Sequence, residues 1–343
     1  SLMRRCFDLA RLGAGAASPN PIVGAVLAHD DRIIGEGYYA KDGGPHAEVM
    51  AVASVKPVDE HLIQESTLYV SLEPCNIYGR TPPCTNLILE KKIPKVVIAA
   101  KDLTPGVNGS GLERLRAAGV TVEEAVLPEI GKRLSEYRNI YVSQHRPYVM
   151  LKYAQTENGF LAPEPAQAYW LTNGFSKRIL HKWRTSTDAI LIGAGTARTD
   201  NPALSSRYFP GQQPIRLVLD RGGKLSPDLQ LFDGRQTTWV IGDTPIKEKE
   251  HLKFLPIDFS QNAWLATLLQ ELGKRKIAHL TVEGGSWLLQ QFVAAGTWDE
   301  ARVFTTTANW SAGKPTPKLG LQASKRFRLL EDELAVYYKA SIT

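Results

Sequence analysis

Short apolar runs alternate with amphipathic stretches along the whole chain. Residues 22–27 (IVGAVL) and 32–37 (RIIGEG) read as two strands about an Asp30-Asp31 turn. The pattern then predicts a helix from His46 to about Val55. Strands are expected at 67–72 and 96–100, each followed by a helical pattern. A helix at 110–118, a short strand at 120–123 and a helix at 129–143 complete this half. Alternation of this kind predicts an α/β layer fold with a mixed sheet.

Pro147 opens a second series of strand signals, at 148–153, 189–192, 215–219, 238–241 and 280–282. Helical patterns lie between them at 176–185, 264–275 and 287–295. Continuous apolar strands suit a central sheet covered on both faces. At 343 residues two domains are the natural expectation, and the boundary falls between Gln144 and Arg146, giving 1–145 and 146–343. No internal repeat links the halves. In the second half two glycine-bearing turns follow strands, Gly193-Ala194-Gly195-Thr196 and Gly284-Gly285-Ser286. The second opens a helix, whose free N–H groups suit a phosphate. Neither is a full Gly-x-Gly-x-x-Gly, so a structural turn and a dinucleotide or phosphoryl site both stay open.

The chemistry concentrates in the first half. Gly44-Pro45-His46-Ala47-Glu48, Glu73-Pro74-Cys75 and Pro83-Cys84 form the His-x-Glu … Pro-Cys … Cys pattern of zinc nucleobase deaminases. One imidazole and two thiolates leave the fourth tetrahedral position to water, the arrangement of a catalytic rather than a structural zinc. Glu48, two residues past a ligand, is the proton carrier, moving a proton from water to the ring and then to the leaving amine. Cys84 stands at the start of a predicted helix, where a thiolate is favoured. Eight residues separate the cysteines in place of the usual two, so 76–83 forms a loop beside the metal. A lone His or Cys is ordinarily structural; three ligands and the glutamate in order argue for one zinc per chain. Cys6, in an amphipathic helical pattern, is a core residue. His29, His61, His145, His181, His251 and His279 show no second metal spacing and are expected on the surface or in packing.

Composition adds limits. Hydrophobic content of 43% and charged content of 22% are those of a soluble globular protein. No apolar run approaches the roughly 20 residues of a membrane span. The start enters a helix directly, so no signal peptide is expected. Three cysteines, two of them given to zinc, fit a reducing cytoplasm. The net charge of +6 is spread along the chain without a basic, aromatic block, which suits an anionic small molecule better than nucleic acid.

These residues resemble the bifunctional riboflavin-biosynthesis deaminase–reductase family of bacteria. The likeness rests on residues 18–26 (SPNPIVGAV), the zinc motifs and Gly79-Arg80-Thr81-Pro82-Pro83-Cys84. In the second half it rests on Trp170-Leu171-Thr172, 193–196, Asp200-Asn201-Pro202-Ala203-Leu204, 215–220 and 282–286. The resemblance implies a cytidine-deaminase-like three-layer domain followed by a dihydrofolate-reductase-like domain. It implies zinc-dependent deamination of 2,5-diamino-6-(5-phosphoribosylamino)pyrimidin-4-one, then NADPH-dependent reduction of the ribosyl side chain to ribityl. Carried over by motif, Asn20 and Arg80 meet the pyrimidine substrate, and Arg184, Leu204, Arg207 and Glu283 meet the reductase substrate. Ala154, Trp170, Thr196, Asp200 and the run Gly285, Ser286, Trp287, Leu288, Leu289, Gln290 and Gln291 meet NADPH. Arg221, after a strand end, is either a selector for the phosphate of NADPH or a turn residue. A homodimer or higher homo-oligomer with no nucleic-acid or membrane partner is expected.

The chain departs from the family pattern at Ile77 and Tyr78, where histidine is common, at Asn158, where aspartate is usual, and at 306–310 (TTANW). Two other readings stand beside the main one. The first is a nucleic-acid base deaminase with an appended domain, which predicts salt-dependent oligonucleotide binding. The second is a deaminase whose second domain binds ligand without hydride transfer.

Overall fold

A computed structural model describes residues 1–165 and 167–339. The chain divides into two compact units, Ser1–Arg146 and the part from Pro147 onward. The first contains helix α1 (Leu2–Leu12), strands β1 (Gly24–His29) and β2 (Arg32–Tyr38), helix α2 (Ala47–Ala53) and strand β3 (Thr67–Val70). Helix α3 (Cys84–Glu90), strand β4 (Lys95–Ile98), helix α4 (Ser110–Ala117), strand β5 (Thr121–Glu123) and helix α5 (Pro128–Gln144) follow. The sheet order is β2-β1-β3-β4-β5. Strand β1 is antiparallel to β2 and β3, whereas β3, β4 and β5 are parallel, so the sheet is mixed.

Local sequence decides where α2 sits. Alternate residues of a strand share a face, and on β2 two of these are Gly35 and Gly37. A Cβ at Gly35 would stand 2.2 Å from the Ala51 carbonyl oxygen, and one at Gly37 2.4 Å from the Ala51 nitrogen. Helix α2 therefore rests its backbone on the strand, which fixes His46 and Glu48 at its start. On the other elements Ala25, Leu27, Leu68, Val96 and Ile98 bury their side chains with Ile88 and Leu112. Cys6 is fully buried as expected, and burial pushes its thiol up to about 12.

The second unit is built on a nine-stranded sheet. Its strands are β6 (Tyr148–Gln155), β8 (Ala189–Gly193), β9 (Ile215–Leu219), β10 (Thr238–Gly242), β11 (Leu252–Pro256), β12 (His279–Gly284), β13 (Glu300–Thr305), β15 (Lys325–Leu329) and β16 (Asp332–Tyr338). They run in the order β11-β10-β9-β8-β12-β6-β13-β16-β15. All neighbours are parallel except β13–β16 and β15–β16. A separate pair, β7 (Phe160–Pro163) with β14 (Gly313–Pro315), is antiparallel. Helices α6 (Gly174–Arg184), α7 (Ala194–Asp200), α8 (Trp264–Lys274) and α9 (Ser286–Ala294) complete the unit. Successive residues of β8 enter different clusters, Ala189 and Leu191 one, Ile190 and Ile192 another. Both faces are covered, which is why these strands read as continuous apolar runs. Phe292, with no exposed surface, contributes about 1.5–3 kcal/mol by its burial.

Two expectations are corrected. The segment 193–196 is not a bare turn: Gly193 caps α7, which runs on to Asp200. It ends at Asn201, whose φ of 40° is left-handed. Glycine at both 193 and 195 masked this short helix. Strands β7, β11, β13, β14, β15 and β16 were also unread; β15 and β16 carry interspersed charges and form an antiparallel edge. Among the described residues no helix is long and apolar enough to cross a membrane.

Candidate active sites

His46 is the residue before α2, Cys75 follows β3 by a short loop, and Cys84 is the first residue of α3. One ligand atom from each lies within 4.8 Å of the other two. His46 Nδ1 is 3.3 Å from Cys84 Sγ and 3.4 Å from Cys75 Sγ. Tetrahedral zinc with bonds of about 2.0 Å to nitrogen and 2.3 Å to sulfur separates nitrogen from sulfur by about 3.6 Å, so both nitrogen–sulfur distances fit the ion within a few tenths of an ångström. The backbone N–H of Cys84 donates to Cys75 Sγ over 3.3 Å, using a free donor of the helix start. Hydrogen bonding to Cys84 draws the Cys75 thiol down to about 4, against burial and with help from His46.

Glu48 is the second residue of α2 and is 4% exposed. Burial first, then the Cys75 charge, push its carboxyl up, while His46 opposes them. A carboxyl with a raised pKa beside a zinc site is suited to carrying a proton. Glu73 does a different task. Its carboxylate accepts from the Gly109 N–H at 2.9 and 3.0 Å and from the Gly111 N–H at 3.1 Å. It ties the end of β3 to the start of α4, and so holds the loop that carries Cys75.

A cavity of about 340 Å³ opens beside these groups. Asn20, His46, Glu48, Cys75 and Arg80 all line it. The Asn20 amide donates to Tyr39 Oη at 3.2 Å and to Asp42 Oδ1 at 2.7 Å. Arg80 donates to the other Asp42 oxygen at 3.1 Å. The 76–83 loop does border this cavity through Ile77, Gly79, Arg80 and Thr81, while Tyr78 is largely exposed.

Sequence reading missed Tyr39, Asp42 and Arg138 here. Tyr39 stands edge-on to His46 with ring centroids 5.4 Å apart and donates no specific pattern to the sequence. Arg138, on α5, is far along the chain from every motif, so only the fold brings it in.

The second unit holds a larger cavity, about 780 Å³. It opens where β8, β9 and β12 end, at α7 and at the start of α9. Thr196, Asp200, Glu283, Gly285, Ser286, Trp287, Leu288 and Gln290 line it. The other expected residues are not among those that line it. Leu289 faces the core, Leu204 is buried in a separate cluster, and Ala154 packs beside Phe304. Trp170 is half-exposed beneath Lys177, whose Nζ is 4.2 Å from its ring. Arg207 stacks on Tyr208 at 4.9 Å, and Gln291 is part-buried.

Arg184 and Glu283 form a bidentate pair of 2.9 and 2.7 Å, each side chain only 7% exposed. Burial pushes the Glu283 carboxyl up, but Arg184, with smaller help from Lys152 and His181, outweighs it and the net shift is downward. His181, one turn before Arg184, is fully buried against Tyr208, as a packing residue. Burial, reinforced by Arg184, drives its imidazole down to about 4.

Cations Arg198, Arg221, Lys224 and Lys314 line the cavity as well. Arg221 lies over Phe259 at 5.1 Å and 3.7 Å from Asp243. Trp287 stacks on Trp264, with rings 6° from parallel. Tyr169, Phe259 and Lys314 had no motif to announce them, since each joins the cavity from a loop or a remote strand, and Trp310 stood out only within the departing 306–310 segment.

Comparison with known proteins covers nearly the whole chain. A family model for the cytidine and deoxycytidylate deaminase zinc-binding region matches residues 1–100, and one for the RibD C-terminal domain matches residues 147–316. Riboflavin biosynthesis protein RibD of Aquifex aeolicus is 33% identical, over 98% of this chain and 97% of its own. The protein of that name from Synechocystis is 34% identical, over 93% of this chain and 88% of its own. The crystal structure of a diaminohydroxyphosphoribosylaminopyrimidine deaminase/5-amino-6-(5-phosphoribosylamino)uracil reductase from Thermotoga maritima superposes with a TM-score of 0.90 at 34% identity. That alignment covers 99% of this chain and 98% of the other.

Proposed function

This chain belongs to the RibD family of riboflavin-biosynthesis proteins, and from that premise we infer that it catalyses two successive reactions on one phosphoribosylaminopyrimidine. The first domain deaminates the diaminopyrimidine, and the second reduces the ribosyl side chain of the product with NADPH. The observation that carries the reading is the convergence of His46, Cys75 and Cys84 beside a buried Glu48 at one cavity.

His46 Nδ1 and the two thiolates would hold the metal. When bound, zinc supplies hydroxide near neutral pH. Glu48 takes the proton of the attacking water, gives it to the ring nitrogen and delivers one to the departing amine, which leaves as ammonia. Asn20, held by Tyr39 and Asp42, orients the pyrimidine edge, and Arg80 attracts its phosphoribosyl end.

In the second domain the chemistry belongs to the nicotinamide, and the protein positions two partners. A volume of about 780 Å³ with four cations on its wall suits an anionic dinucleotide. Gly285 and Ser286 start α9, where free N–H groups favour phosphate oxygens. Glu283, charged and paired with Arg184, borders the same space and orients the sugar. Arg221 is the candidate selector for NADPH over NADH. Leu204 and Leu289 serve through packing under this reading. The proposal includes a reducing cytoplasmic setting, consistent with three free cysteines, and a homodimer or higher homo-oligomer without nucleic acid.

The test supplies the diamino substrate with NADPH and follows ammonia and nicotinamide absorbance separately. Both signals are expected, with ammonia first. Ammonia without NADPH oxidation would support a second domain that only binds ligand. Absence of both would overturn the assignment.

A further inference from the structure

The two departures in the second domain meet each other. Asn158 Nδ2 donates to the Trp310 carbonyl at 2.7 Å, and Asn158 Oδ1 accepts from the Trp310 N–H at 3.3 Å and from the Thr156 hydroxyl at 2.8 Å. One amide thus grips both backbone groups of one residue. The same two loops are joined again next door: the Glu157 N–H donates to the Ala308 carbonyl at 2.9 Å, and Asn309 Nδ2 donates to the Glu157 carboxylate at 3.0 Å. Beyond them β7 pairs with β14. Trp310 lines the 780 Å³ cavity, and its ring meets Tyr169 edge-on at 5.4 Å and 81°. Both rings line this space, as do Trp287 and Ser286.

Side-chain chemistry makes the asparagine specific. An amide has both a donor and an acceptor. Aspartate, the family's usual residue, is acceptor-only when ionised. It would keep the Trp310 N–H and Thr156 bonds but set an anionic oxygen against the Trp310 carbonyl. Asn158 and Trp310 are thus matched to each other.

We propose that Asn158 is a positioning residue that fixes Trp310 as an aromatic wall for the nicotinamide cofactor in the second domain. This rests on the reading of that cavity as the NADPH site. Asn158 acts through Trp310 and touches no reacting atom.

The experiment measures NADPH affinity of the full chain by fluorescence titration for the parent, Asn158→Asp, Trp310→Ala and the double variant. Ammonia release in each variant checks that the first domain is intact, and thermal unfolding checks the second. Asn158→Asp is expected to weaken NADPH about tenfold, with kcat at saturating NADPH nearly retained. In the Trp310→Ala background the same change is expected to have almost no effect, because no ring remains to be held. Equal effects in both backgrounds, or unchanged affinity in Asn158→Asp, would overturn the proposal. Should Asn158→Asp fold poorly, Asn158→Ala carries the same cycle, with the same expectations. A parent chain that binds no NADPH would instead overturn the reading of the cavity.

Discussion

In the first domain the candidate site gathers three ligand atoms within 4.8 Å and one buried carboxylate at a single point. In the second, a cavity more than twice as large is lined by aromatic rings, cations and the start of a helix, and is bordered by Glu283 of one buried ion pair. The difference follows from the reactions. Hydrolytic deamination needs a metal and a proton carrier supplied by side chains at fixed distances. Hydride transfer needs two molecules held in register, which shape and backbone can provide. The first kind of site is compact and breaks at single atoms; the second is spread over several loops and yields gradually.

Metal removal sharpens this contrast most. Dialysis against a zinc chelator is expected to abolish ammonia release by roughly three orders of magnitude or more, since hydroxide at neutral pH is lost. NADPH oxidation with the deaminated product supplied is expected to be unchanged. Metal analysis should return about one zinc per chain before treatment. Loss of both activities together would merge two sites held here to be separate.

The next effect is on stability. Glu283→Ala leaves Arg184 charged and buried, at a cost of about 3–5 kcal/mol in unfolding of the second domain. Chemical denaturation of the full chain would read it, and an unchanged profile would contradict the pairing. The pair also sets a pH dependence. The folded Glu283 pKa lies below its ordinary value, so the carboxylate stabilises the fold above about pH 4.5 and that contribution is lost as pH falls through the folded value. Arg184→Ala should remove this contribution and, because burial then pushes the Glu283 carboxyl up, turn the dependence round, with stability falling as pH rises through the folded value.

A smaller effect is expected from Arg80→Ala. Its bond to Asp42 is exposed, and exposed pairs contribute about 0–1 kcal/mol. The deaminase KM should rise severalfold with kcat nearly retained, read from initial rates of ammonia release. A large fall in kcat would give Arg80 a part in the chemistry itself.

The same contrast governs what was legible in the chain. Cysteine, histidine and glutamate at short spacings name a zinc site outright, because few other needs bring those residues together. Alternating apolar runs located β1–β4 and the parallel core β8, β9, β10 and β12, since continuous burial leaves a continuous signal. Tyr39 and Arg138 were not legible, for they reach the first cavity only after β2 and α5 fold against the rest. Asn158 and Trp310 each looked like an isolated departure, since nothing in the chain reveals that residues 152 positions apart share two hydrogen bonds. The short helix α7 was hidden by its own glycines.

The most direct test of the central claim is Glu48→Gln, which keeps size and nearly all contacts but removes the proton carrier. Zinc content should stay at one per chain, ammonia release should fall by about 10²–10⁴, and NADPH oxidation of supplied deaminated product should be unaltered. Near-normal ammonia release from a zinc-loaded Glu48→Gln protein would contradict the account, because another group would then be moving the proton.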